Sequence, residues 1–231
     1  MHVDLVKSYQ FEAAHATPWH DDEARLHGHS FCVELVVGGE CDPQLGWLID
    51  YAEINQRFED LFKQLDHQTL NDVPGLGDPT LKGIQDWIKL RLSSGLPGLN
   101  EVRVSICGDQ LFAPKLLHTD SIAGLRERIR FGFEAAHALP NVPPEHKCHT
   151  MHGHSFVVEA AADKVETLTP FLQEVYDRLD HRCLNEIPGL ENPTSEEVSG
   201  WIWNAISDNV PDLTAIVVAE TCTARCIYHG R

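Results

Sequence analysis

The sequence predicts an α+β protein built as two tandem ββααββ units, residues 1–122 and 123–231, each an antiparallel sheet with paired helices on one face. The first observation behind this is an internal repeat. Phe11-Glu12-Ala13-Ala14-His15 recurs as Phe133-Glu134-Ala135-Ala136-His137, and Leu26-His27-Gly28-His29-Ser30-Phe31 as Met151-His152-Gly153-His154-Ser155-Phe156. Leu65-Asp66-His67 then returns as Leu179-Asp180-His181, and Pro79-Thr80 as Pro193-Thr194, so the order is collinear and the join falls between residues 114 and 126. The second observation is that apolar periodicity switches from about 2 to about 3.6 at matching places in both halves.

Residues 8–14 and 128–136 read as first strands, and 27–38 and 152–162 as second strands, from their partial alternation. The first helices follow. Residues 51–65 carry Ile54, Phe58, Leu61, Phe62 and Leu65 at helical spacing, and residues 167–179 carry Leu168, Phe171, Leu172, Val175 and Leu179. Thr194-Ser195-Glu196-Glu197 supplies an N-cap and an acidic first turn for a second helix through Trp201 and Trp203, both read as core residues. Residues 101–107 and 215–220 read as third strands and 223–228 as a fourth.

The halves differ at informative places. Four residues before His-Gly-His the second half has Cys148, and the first half has Glu23 there. Aligning Cys107 with Cys222 sets Ser105 opposite Glu220.

A net charge of −17 opposes binding to a phosphate backbone, which needs clustered Lys and Arg, so no nucleic acid is expected as partner. No apolar run reaches the length of a membrane helix and residues 1–7 lack the apolar core of a secretion signal, which points to a cytoplasmic protein without a membrane partner. The seven cysteines are expected to be mostly reduced, with Cys32, Cys222 and Cys226 as core filler in apolar runs.

Strand periodicity places the two imidazoles of His-x-His on one face. With a histidine from the first strand they make a three-ligand set suited to zinc, His137/His152/His154 in the second half and His15/His27/His29 in the first. Gly28 and Gly153, between the ligands, relieve crowding or permit a bend. Cys148 lies in the polar, turn-like Glu145-His146-Lys147-Cys148-His149, where a metal or cation would lower its pKa and let it carry a proton. Asp66-His67 and Asp180-His181 are each either a helix C-terminus closed by an imidazole or a carboxylate–imidazole acid–base pair. In the second case adjacent side chains are expected to diverge, so that the carboxylate comes from elsewhere. Glu220, in an apolar strand, is either a strand-end residue or an anchor for a guanidine-like ring edge.

These motifs together resemble the 6-pyruvoyltetrahydropterin synthase / 6-carboxytetrahydropterin synthase family, in two copies covering almost the whole chain. The three-residue spacer of Cys148-x3-His152-Gly153-His154, and Glu220-Thr-Cys-Thr-Ala-Arg225, look like the carboxytetrahydropterin branch, which serves 7-deazaguanine (queuosine) synthesis. The resemblance implies the tunnelling fold, with a barrel closed by oligomerisation and sites between neighbouring domains of a homo-oligomer. It also implies zinc on His137, His152 and His154, proton transfer by Cys148 with an Asp-His pair, and a pterin ring held by Glu220 with Thr194 and Ser195. The substrate so implied is 7,8-dihydroneopterin triphosphate, with 6-carboxytetrahydropterin, acetaldehyde and triphosphate as products. Its phosphates would need a local basic patch in this acidic chain. A pyruvoyl-type synthase, a dihydroneopterin side-chain lyase and a non-catalytic pterin- or zinc-binding module are the alternatives. The first half is expected to carry zinc on His15, His27 and His29 but to bind pterin poorly for want of the anchor, and its Asp66-His67 is expected to serve the Cys148 site of its own or another chain.

Overall fold

A computed structural model describes residues 1–18, 24–108, 112–122, 125–221 and 224–230; Glu23 and Cys222 lie outside them. The first half runs β1 (His2–Pro18), β2 (Ala24–Glu40), α1 (Tyr51–Leu65), β3 (Gln68–Thr69), α2 (Leu81–Leu92) and β4 (Leu99–Ile106). The second runs β5 (Lys115–Ile122), β6 (Leu125–His137), β7 (His152–Ala162), α3 (Thr169–Leu179), β8 (Arg182–Cys183), α4 (Ser195–Ile206), β9 (Leu213–Thr221) and β10 (Ala224–Tyr228). The predicted helices and long strands are present.

The first sheet has the order β3-β1-β2-β4 and the second β10-β9-β7-β6-β5, with the short β8 beside β6. All long-strand pairings are antiparallel. The boundary between the sheets falls before β5 rather than after it. β5 pairs antiparallel with β6, with Ile122 opposite Leu125, which puts the strand at the edge of the second sheet. The first sheet therefore has no counterpart of β10 among the described residues, and neither sheet closes into a barrel.

Each half buries its own core between one sheet face and its helix pair. Phe31, Val33, Leu35 and Val37 on β2 meet Ile54, Phe58, Ile84 and Ile88 of α1 and α2. Phe156, Val158 and Ala160 on β7 meet Leu172, Val175, Val198 and Ile202 of α3 and α4. The alternation that buries Phe31 places Gly28 and Ser30 on the opposite face, where they meet Gly153 and Ser155 of the other sheet. The Ser30 amide donates to Ser155 Oγ at 3.1 Å and the Ser155 amide to Ser30 Oγ at 3.2 Å, so the contact is self-complementary about a pseudo-two-fold axis.

The crowding that Gly28 and Gly153 relieve comes from the other half. A Cβ on either would collide with the Cα of the other glycine. Cys32 and Cys226 are half-buried rather than core, because Cys32 lies on the face away from the helices; Cys183 is the buried cysteine among those described. Trp201 and Trp203 pack partly buried against the second core, the Trp201 indole donating to the Pro188 carbonyl at 3.1 Å.

Candidate active site and metal centres

Both histidine triads form where the first and second strands of each half pair. His15 is directly opposite His27 in the β1–β2 register, and His137 directly opposite His152 between β6 and β7. The second residue of each His-x-His adds an imidazole on the same face. All six rings are buried, and in each triad the ligand-type nitrogens lie within 4.8 Å of one another.

The outward nitrogen of every ring is held by a hydrogen-bond acceptor. His15 Nδ1 is 2.7 Å from the Pro79 carbonyl and His137 Nδ1 is 2.9 Å from that of Pro193. His27 Nδ1 is 2.8 Å from the Arg25 carbonyl, and His152 Nδ1 is 2.7 Å from that of Thr150. His29 and His154 instead reach carboxylates of the other sheet, Glu134 Oε2 at 2.7 Å and Glu12 Oε2 at 3.0 Å. With Nδ1 donating, a neutral ring turns the lone pair of Nε2 inward, the arrangement that orients metal-bound imidazoles. Nε2 of His152 is buried without a hydrogen bond, and the inward nitrogens of His137 and His154 meet only the Glu220 carboxylate. Three inward nitrogens converging on one carboxylate oxygen, one of them with no partner, fit a bound metal ion such as zinc.

Electrostatics separate the two triads. Burial, then mutual proximity of the imidazoles, pulls His15 down to about 4 and His27 to about 2, and burial with the nearby His181 pulls His29 to about 3. These rings are neutral, the form a metal requires. In the second half His152 falls to about 2 by burial and its neighbouring imidazoles, and burial also lowers His137. His154 goes the other way, to about 9, because Glu12 and Glu220 together outweigh its burial. Glu220 Oε1 lies 3.1 Å from His154 Nε2 and 3.3 Å from His137 Nε2, which holds its carboxyl far below the usual range despite burial.

The Asp-His pairs cross between halves. His67 stacks on His152 with ring centroids 4.4 Å apart, and one of its ring nitrogens lies within 4.8 Å of Cys148 Sγ and of a His152 ring nitrogen. His181 instead sits against the first-half triad, 4.5 Å from the His27 ring. Asp66-His67 is thus the pair beside Cys148 in this chain, and Asp180-His181 is at the other centre. The expected divergence within each pair does not occur. His67 and His181 adopt φ of 58° and 52°, a left-handed turn at the helix end that swings the imidazole back onto the preceding carboxylate. His67 Nδ1 is 2.9 Å from Asp66 Oδ1, and His181 Nδ1 is 2.7 Å from Asp180 Oδ2. The carboxylate thereby fixes the tautomer that leaves Nε2 toward the site.

Cys148 occupies a short turn, residues 147–149, and is half-buried. Its thiol is pushed up rather than down, first by burial and then by the Glu220 carboxylate, with Lys147 opposing. The expected lowering requires a bound cation. Ser195 Oγ donates to Glu220 Oε2 at 2.8 Å, which joins these two predicted residues. The Thr194 hydroxyl caps α4 by accepting from the Glu197 amide at 3.3 Å. Strand register corrects the partner assigned to Glu220 in the first half. Phe31 faces Ile106 and Cys32 faces Ser105, as Val157 faces Ala219, so Ile106 rather than Ser105 stands where Glu220 does. Two functional candidates escaped sequence reasoning, Glu12 and Glu134. Their signal was present, a glutamate repeated inside an otherwise apolar strand motif.

Two α+β halves, each with three buried imidazoles gathered at paired strand ends, define a tandem-duplicated protein with two candidate metal centres. The family model described as 6-pyruvoyl tetrahydropterin synthase matches residues 4–109 and again 127–231, and the chain belongs to that family, as a tandem repeat closer to its carboxytetrahydropterin branch. The 6-carboxy-5,6,7,8-tetrahydropterin synthase of Synechocystis is 39% identical over 115 residues, 42% of this chain and 88% of that protein. The dihydroneopterin monophosphate aldolase of Pyrococcus furiosus is 35% identical over 98 residues, 42% of this chain and 82% of that protein. Human 6-pyruvoyl tetrahydrobiopterin synthase is 35% identical over 75 residues, 31% of this chain and 52% of that protein.

Proposed function

We propose that the chain is a zinc-dependent 6-carboxytetrahydropterin synthase acting on 7,8-dihydroneopterin triphosphate, with its competent centre in the second half. The observation that carries this reading is the gathering of Cys148, Asp66-His67 and Glu220 around the inward nitrogens of His137, His152 and His154. His137, His152 and His154 would hold the zinc, which when bound would supply a Lewis acid for the hydroxyls of the substrate side chain and so acidify the adjacent carbon.

The chain's own residues do the rest. Cys148 Sγ and a His67 ring nitrogen lie within 4.8 Å of each other and of His152, where they give and take protons at neighbouring side-chain carbons. Asp66 holds His67 in one tautomer and stabilises its protonated form. Glu220, steadied by Ser195, takes the guanidine-like edge of the pterin ring through paired N–H donors. Burial of the triad excludes water and strengthens each of these interactions.

The first-half centre has the same three imidazoles and the Asp180-His181 pair, but Ile106 cannot accept the N–H donors of a pterin ring. It is a metal-bearing centre without synthase activity. Open sheet edges at β4 and β5 suit closure of the barrel by other copies of the chain. Incubation with dihydroneopterin triphosphate, with product identification and metal counting, tests the reading. Acetaldehyde with 6-carboxytetrahydropterin is expected. A 6-pyruvoyl product without acetaldehyde, or glycolaldehyde from side-chain cleavage as an aldolase would release, sinks it.

A further inference from the structure

We infer that Glu12 and Glu134 are crossed positioning residues, each fixed in one half of the chain and each orienting a metal ligand of the other half. The inference rests on the reading that both triads bind metal. Glu12 lies on β1 of the first half, yet its Oε2 is the partner of His154 Nδ1 in the second-half triad, 3.0 Å away. Glu134 lies on β6 of the second half, fully buried, and its Oε2 is the partner of His29 Nδ1 in the first-half triad, 2.7 Å away. The remaining four triad rings use backbone carbonyls of their own half.

Each glutamate is held for this task. Ser30 Oγ donates to Glu12 Oε2 at 2.6 Å, and Ser155 Oγ to Glu134 Oε2 at 2.6 Å. The same serines bind each other's backbone across the sheet contact, so the carboxylates are registered to the opposing sheet and not only to their own. The backbones extend the pattern. The Glu12 amide donates to Asp66 Oδ1 at 3.2 Å and its carbonyl accepts from the His67 amide at 2.6 Å. The Glu134 amide donates to Asp180 Oδ1 at 2.9 Å and its carbonyl accepts from the His181 amide at 2.7 Å. One residue thus sets both contributions that a half makes to the other half's centre: the acceptor behind its third imidazole, and the Asp-His pair in front of it.

A buried glutamate that only satisfied local polar groups would support its own half. Crossed positioning predicts the reverse. Zinc affinity is measured by chelator competition in two single-centre chains, His27→Ala, which keeps the second-half triad, and His152→Ala, which keeps the first-half triad. Glu12→Gln is expected to weaken the second-half centre about 10–100-fold, as loss of an orienting partner does, and to leave the first-half centre unchanged. Glu134→Gln is expected to do the opposite. Glutamine keeps the size of the side chain and an acceptor for the serine, and circular dichroism reports the fold. Loss at the substituted residue's own half, equal loss at both, or no loss at either overturns the crossed role. Single-centre chains that hold no zinc overturn the metal reading and the inference with it.

Discussion

Alanine at Gly153 tests whether the contact between the two sheets builds both centres. A Cβ there would lie 2.9 Å from Gly28 C and 2.9 Å from the Ala135 carbonyl oxygen, besides colliding with Gly28 Cα. Restoring a carbon–carbon separation of about 3.5 Å moves the strands apart by at least about 0.6 Å. A shift of that size stretches the 3.0 Å contact of His154 with Glu12 to about 3.6 Å, beyond hydrogen-bond range. It does the same to the paired serine contacts. Overpacking of this kind costs about 1–3 kcal/mol, which at this chain length lowers Tm by about 2–4 °C per kcal/mol. Displacement of His67 from Cys148 on a similar scale lowers turnover by up to about 100-fold. Thermal unfolding and turnover of Gly153→Ala and Gly28→Ala are the assay. Both variants are expected to lose stability, activity and metal together. A Gly153→Ala protein as stable and active as the parent refutes the packing argument.

Cys148→Ala is expected to lower turnover by about 100-fold or more while leaving zinc content at its parent value, since the thiol moves protons and does not hold the metal; loss of zinc in step with activity contradicts that role. Glu220→Gln is expected to raise KM more than it lowers kcat. In the metal-free protein the same substitution removes a negative charge beside Cys148, so the pH midpoint of Cys148 alkylation should move down, toward the ordinary thiol value. An unmoved midpoint means the carboxylate does not face the thiol. Zinc loading should release protons from the second-half centre, because His154 is held protonated by Glu12 and Glu220 without metal. Proton release that persists undiminished in Glu220→Gln contradicts this origin.

Much of the molecule is legible in its sequence because it is local. Periods of two and of about 3.6 mark the strands and helices, and the spacing of His-x-His on a strand is enough to put two imidazoles on one face. Long-range choices are not legible. Nothing in Asp66-His67 or Asp180-His181 says which triad each faces, since that depends on a sheet contact made through Gly28 and Gly153. Nor does spacing alone show that His67 takes a left-handed φ, which is why adjacent side chains meet where divergence is expected. The shared Cys107/Cys222 letter sets Ser105 opposite Glu220, whereas hydrogen-bond register sets Ile106 there. Position along the chain assigns β5 to the first half, and its antiparallel pairing with β6 places it in the second sheet. Glu12 and Glu134 escape notice because a single glutamate in an apolar strand has no visible partner until the other sheet is present.

The central claim is that the first half supplies the acid–base pair for the second half's Cys148 centre, and paired substitutions test it most directly. Turnover and zinc content are measured for Asp66→Ala/His67→Ala beside Asp180→Ala/His181→Ala. The first double variant is expected to lose about 100- to 10,000-fold in kcat with the second-half zinc retained, and the second double variant to stay near the parent rate. Loss of turnover only when Asp180 and His181 are removed would contradict the account.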